Sequence, residues 1–244
     1  MYTIDAQGLD YRQLNSRVRE VVGSGASRLS LANINGHRYI ACGLEGSLQI
    51  EVTGIGGNDL GAYMKGPEIT VRGNVQDCVG NTMNAGSIVV EGRAGDVLGY
   101  GMSGGEIFIR GDVGSRAGIH LKGQESQAPV MVIGGTAGDF LGEYMAGGTI
   151  IVLGLDSDAL ATGRQCGVGM YGGAIFVTAR TFPGYVGKGA VVCQPSEEDL
   201  TMVAGYVTRF ARLFNLDEAE IIKPGFVKLA PKAHRPYGSM YVGA

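Results

Sequence analysis

The residues in this 244-residue sequence with the chemistry for a reactive site are a recurring column of acids, four cysteines and three histidines. Asp77, Asp96 and Asp139 recur at equivalent places, with Asn58 and Ser115 filling the same column. A ladder of carboxylates suits a hard cation such as calcium, and a pair suits glycoside cleavage. The mixture of Asp, Asn and Ser points instead to turns, because all three accept backbone N–H bonds. The nine-residue signature of calcium-binding solenoids is absent. Cys42, Cys78, Cys166 and Cys193 are scattered with no CxxC pair, which argues against a disulfide framework or a zinc site. Cys78 and Cys166 fall near apolar columns and read as small hydrophobes. His37, His120 and His234 lie far apart without an HxxxH pair, so a metal site is not expected. The GxG fragments Gly23-Ser-Gly25, Gly99-Tyr-Gly101 and Gly167-Val-Gly169 do not extend to a dinucleotide or Walker loop. Nothing reads as a nucleophile elbow.

What must position these residues is a repeat. Glycine accounts for 43 of 244 residues, against a usual share of about 7%, and proline for only 7. Such an excess without a collagen period prompts a search for internal repetition. Met64, Met83, Met102, Leu121, Met145 and Met170 recur at steps of 19, 19, 19, 24 and 25 residues. Three residues before each stands Gly61, Gly80, Gly99, Gly118, Gly142 or Gly167. Each copy also carries a β-branched run: Ile50-Glu-Val52, Ile69-Thr-Val71, Ile88-Val-Val90, Ile107-Phe-Ile109, Val130-Met-Val132, Ile150-Ile-Val152 and Ile175-Phe-Val177. Gln124 to Ala128 lengthens one copy.

A unit of 19 residues cannot bury a face alone, and it is too short for a pair of helices. Coils stacked about 4.8 Å apart solve the problem, because equivalent residues then form interior ladders. The first and third residues of each run supply two ladders, and Leu60, Val79, Leu98, Ala117, Leu141 and Cys166 the opposite wall. The expected fold is an all-β solenoid. More specifically it is a right-handed parallel β-helix, by the usual crossover hand, with about seven coils, a small α/β N-terminal cap and a C-terminal helix. The boundaries fall at residues 1–45 for the cap, 46–195 for the solenoid and 196–244 for the C-terminal helix and tail.

In the cap, Asp10-Tyr-Arg-Gln13 has capping-box spacing before a helix that Gly23 and Gly25 stop. Leu29 to Ile34, Asn35-Gly36 and Arg38 to Leu44 read as a hairpin. Ser196 and the acids after it start a helix whose Leu200, Val203, Val207, Phe210 and Phe214 form one stripe. The central residues of the strand runs, Glu51, Thr70, Val89, Phe108, Met131, Ile151 and Phe176, turn from polar to apolar along the outer wall. A strip that apolar needs a cover or marks an interface. The helix at 196–214 is the expected cover, with a partner on the remainder. Phe108, Met131 and Ile151 are therefore candidate partner contacts. So are Arg116, His120, Lys122 and Arg164, which stand in loops that depart from the regular turns.

The remaining composition bounds the setting. Net charge is −3 with no basic stripe, so no nucleic-acid partner is expected. No apolar run approaches a membrane span, and Met1-Tyr-Thr-Ile-Asp5 does not resemble a signal peptide. A cytoplasmic setting is the expectation.

Gly73-Asn-Val-Gln-Asp77-Cys-Val-Gly80-Asn-Thr-Met83, Ala94-Gly-Asp-Val-Leu-Gly99, Gly138-Asp-Phe-Leu-Gly142-Glu-Tyr-Met145-Ala-Gly-Gly148 and Gly169-Met-Tyr-Gly-Gly173 resemble the glycine-rich C-terminal domain of the glutamate synthase large subunit. The likeness spans roughly residues 9–180. It implies a chiefly structural β-helix within a nitrogen-metabolism oxidoreductase, with no catalytic residue and no cofactor in this chain. FMN and iron–sulfur clusters are expected on partners. Those partners would be a class II glutamine amidotransferase-like subunit and an FMN-binding synthase-like subunit, making glutamate or N-methylglutamate; self-association stays open. The glycine-repeat chain of formylmethanofuran dehydrogenase is more distantly similar, with the same repeat, and gives an alternative reading. A carbohydrate-active β-helix enzyme is another, and it requires converging carboxylates.

Overall fold

The computed structural model describes residues 1–123, 128–155, 160–182 and 186–233. His234 and most of the insertion after Lys122 lie outside these residues. Among the described residues one eleven-stranded sheet winds in the order β1-β2-β3-β4-β5-β6-β7-β8-β9-β11-β10. The strands are β1 (Tyr2–Asp5), β2 (Arg28–His37), β3 (Gln49–Gly56), β4 (Lys65–Arg72), β5 (Ala85–Val90), β6 (Glu106–Ile109), β7 (Val130–Ile133), β8 (Ala146–Val152), β9 (Gly172–Thr178), β10 (Ala190–Cys193) and β11 (Phe226–Pro231). From β1 to β9 each strand pairs in parallel with the next. The protein is a β-solenoid.

Its interior is filled by the ladders that a period of one strand per coil dictates. Leu29, Ile50, Ile69, Ile88, Ile107, Met131, Ile150 and Ile175 are successive register partners. All are buried, as is the facing methionine column from Met64 to Met170. The glycine column stands between them with φ of 64° to 71° at Gly61, Gly80, Gly99, Gly118, Gly142 and Gly167. A Cβ at Gly142 would lie 2.6 Å from Ile175 Cδ1, so both backbone conformation and space exclude a side chain there. Six coils carry this complete corner, one fewer than the seven strand runs suggest.

Two local expectations fail. The fifth strand run slips by one residue: Met131 pairs with Ile107 and Ile150, and Val132 with Phe108 and Ile151. Met131 thus points into the core and Val132 takes the outer place. The run Val130 to Ile133 is apolar throughout, so its pattern fixes no register. The hairpin over 29–44 is also absent. Residues 28–37 form the single strand β2, parallel to both β1 and β3. Asn33 and Gly36 adopt positive φ within it, where the β2–β3 register shifts as at a bulge. Residues Tyr39, Ala41 and Gly43 have positive φ in alternation, so this segment is a solenoid corner with no glycine at its first two such positions.

Helices close the flanks. In α1 (Tyr11–Gly23) the Asp10 carboxylate accepts from the N–H of Gln13, whose side chain accepts from the Asp10 N–H, completing the capping box. In α2 (Glu197–Phe214) Ser196 and Asp199 do the same. Helix α2 lays Val203, Val207 and Phe210 over Phe108, Val132, Ile151 and Phe176 as a second apolar cluster. Arg209 donates to Glu106 at 2.6 Å and lies 5.0 Å over the Phe108 ring. The short α3 (Glu218–Ile222) then turns the chain into β11. That strand, which carries no clear sequence signal, inserts antiparallel between β9 and β10 and seals the last coil with buried Leu229.

Candidate functional site

The acid column is occupied by structural bonds. Asp77 Oδ1 accepts the N–H of Asp96 at 2.9 Å, Asp96 Oδ1 that of Ser115 at 2.8 Å, and Asp139 Oδ1 that of Arg164 at 2.7 Å. Each carboxylate therefore caps the equivalent backbone amide one coil further on. Among the described residues no three His, Cys, Asp or Glu side chains gather in a way that would hold a metal ion. Cys166 lies inside the solenoid, where burial pushes its thiol up to about 12. His37 accepts the Asn35 N–H on Nδ1 at 3.1 Å and faces the Leu9 carbonyl through Nε2 at 2.9 Å. That places the proton on Nε2 and makes the ring a strut between cap and first coil.

One string does carry the spacing of a nucleophile elbow, Gly101-Met-Ser103-Gly-Gly105. It lies in a corner rather than between a strand and a helix, and Ser103 Oγ donates to Asn84 Oδ1 of the preceding coil at 2.9 Å. The serine belongs to the polar ladder.

The feature with unspent chemistry is the corner that ends each coil. Positive φ recurs at every second residue there: Asp59-Gly61-Tyr63, Cys78-Gly80-Thr82, Val97-Gly99-Gly101, Arg116-Gly118-His120 and Phe140-Gly142-Tyr144. Amides alternate in direction. Those of Arg116 and His120 bond forward to Asp139 and Glu143 carbonyls, and that of Gly118 bonds back to Leu98. The third position is glycine at 101 and 169 but an aromatic ring at 63, 120 and 144. A non-glycine residue in this conformation costs roughly 1–2 kcal/mol, so the rings are held against a backbone preference.

The rings at 120 and 144 form a ridge with Tyr100. His120 stacks on Tyr144 at 5.5 Å between centroids and 12° between planes. Tyr100 meets the His120 ring nearly at right angles, 5.9 Å away. Tyr144 in turn lies over Gly169, where a Cβ would come within 2.5 Å of the ring. Beside them Arg116 sits 4.8 Å over the Phe140 ring and donates to the half-buried Glu143 at 3.1 Å. Tyr63 is 57% exposed, Tyr144 48% and Tyr100 41%.

Of the contact candidates, the structure brings Arg116 and His120 together on this ridge, with exposed Lys122 two residues further along the chain. Arg164 is exposed on the neighbouring corner column, where its carbonyl accepts the Phe140 N–H. Phe108 and Ile151 are buried beneath α2, and Met131 is buried in the interior ladder. Tyr63, Tyr100 and Tyr144 were missed because a search for sameness down the columns overlooks positions that alternate between glycine and ring. The GxG fragments were the available signal, since Gly99-Tyr-Gly101 marks the second and third left-handed positions of a corner, the third of which other copies fill with Tyr, Thr or His.

A solenoid filled by its own ladders, with rings on one column of corners among the described residues, defines a β-repeat protein. The chain belongs to the GXGXG motif family, the C-terminal type of the glutamate synthase large subunit, whose pattern matches residues 12–233. An uncharacterized protein of Methanocaldococcus jannaschii is 42% identical over 248 residues, which cover 98% of this chain and 95% of that relative. No helix among the described residues is long and apolar enough to cross a membrane.

Proposed function

We propose that this chain is the non-catalytic scaffold subunit of a glutamate-synthase-like amidotransferase and oxidoreductase complex. Glutamine hydrolysis and reductive transfer of the released ammonia take place on its partners, a class II amidotransferase-like chain and an FMN-binding synthase-like chain that also carries iron–sulfur clusters. The reading rests on family membership. The observation that carries it is the fate of the recurring polar groups: Asp77, Asp96 and Asp139 each spend a carboxylate oxygen holding one coil to the next. The same bonds argue against the carbohydrate-active reading, which needs free carboxylates. A stack braced by side chains as well as backbone is stiff, which suits it to hold separate modules at fixed distance.

Purification of the tagged chain from native cells tests this. Amidotransferase-like and flavin-containing chains are expected with it, with flavin and iron–sulfur absorption in the eluate. Recovery of the chain alone, or with molybdopterin subunits of the formylmethanofuran type, would overturn the proposal.

A further inference from the structure

We propose that the aromatic corner ridge centred on His120 is the docking surface for a protein subunit that brings carboxylates against its basic flanks. The inference rests on the scaffold reading and gives that scaffold its point of attachment. Glycine at 101 and 169 shows that the third corner position is satisfied without a side chain, yet the partly buried His120 and the exposed Tyr144 hold rings there with φ of 54° and 51°. Strain kept at an exposed position points to a use outside the fold. The rings are also preorganised. Tyr144 is held between His120 and the Gly169 backbone, so little side-chain freedom remains to lose on binding. Tyrosine and arginine are the residue types that anchor protein interfaces.

Charge selects the occupant. Exposed Lys65, Lys122 and Lys188 flank the ridge, and Lys188 is placed there by its carbonyl, which accepts the Gly169 N–H. No ion pair engages these three lysines among the described residues. Of the acids near the ridge, Glu143 pairs with Arg116 and Asp59 accepts from Asn81 at 3.0 Å, while Glu45 stands opposite Lys65 in register. On the uncovered wall over β3 and β4, Arg72 lies between Glu51 and Glu91 and pairs with both. A second copy docking ridge to ridge would oppose lysine to lysine. A sugar needs an open ring face, and the facing sides of His120 and Tyr144 are turned to each other. An acidic protein surface fits what is left, the ring edges, the hydroxyls and the ammonium groups.

The test measures the affinity of the full-length chain for the amidotransferase-like and flavin-binding chains recovered with it. Variants are His120→Gly with Tyr144→Gly, Lys122→Glu with Lys188→Glu, and Thr70→Glu on the polar wall as control. Glycine suits both ridge positions, so the melting midpoint is expected to stay within about 2 °C of the parent or rise. Affinity for one partner is expected to fall at least tenfold. The lysine reversals should weaken binding and flatten its salt dependence, and Thr70→Glu should leave both unchanged. Unchanged affinity in the glycine variant overturns the assignment, and so does a midpoint that falls in step with affinity. Assembly of parent and variants alike would remove the ridge and leave the scaffold standing. Failure of the parent to bind either chain would remove both.

Discussion

At the scale of single residues, the molecule is governed by positions where backbone geometry and neighbouring side chains make the same demand. Gly142 has φ of 64° and no room for a Cβ against Ile175, whereas Gly101 has φ of 58° and only Thr82 Oγ1 near, at 3.9 Å. Gly142→Ala is therefore expected to cost roughly 2–5 kcal/mol, the sum of left-handed strain and overpacking. Gly101→Ala should cost only about 1–2 kcal/mol, the strain alone. Denaturant unfolding of both variants checks the contrast; equal losses would show that the ladder yields freely to an added methyl. Glycine at the interior corner position was legible in the sequence, because core packing demands it in six successive coils. The ridge was not. Its positions face outward, so the fold accepts glycine, threonine, histidine or tyrosine there and the period does not show.

At the scale of elements, legibility followed the pattern of burial. α1 and α2 could be read because a cap, a stripe and a stop coincide in sequence. β7 was misread by one residue because all four of its positions are buried, two by the core and two by neighbours outside it. β11 escaped because Phe226–Pro231 finds its partners only once α2 and α3 have returned the chain to the sheet. The cover that α2 provides carries two predictions. Phe210 is fully buried among Phe108, Val132, Ile151 and Phe176, so Phe210→Ala should cost about 3–5 kcal/mol. It should also increase binding of a hydrophobic dye, as the outer wall is uncovered. Asp199 anchors the first turn of α2 to β11 through Lys228 at 2.7 Å. Burial pushes its carboxyl up, but bonds from Lys228 and Ser196 outweigh burial and hold it below the usual carboxylate range. A depressed carboxyl stabilises the fold above its unfolded pKa of about 3.9, and the contribution is lost as pH falls through the lower folded value. Thermal unfolding across that acid range should show Asp199→Asn losing less stability than the parent, with parallel curves contradicting the pairing.

At the scale of the whole molecule, the sheet runs unbroken from β1 to β10, and turn carboxylates tie its coils together outside the core as well. On the proposed scaffold role, such a body transmits position between its partners. Withholding the chain from its proposed partners should therefore separate their activities without abolishing them. The decisive measurement is reconstitution of the purified partners with and without this chain, assaying glutaminase activity, flavin reduction and the coupled glutamine-dependent synthesis separately. Both half-reactions are expected to persist when the chain is absent, and only the coupled synthesis to fail. Loss of either half-reaction without the chain, or coupled synthesis at full rate without it, would contradict the account.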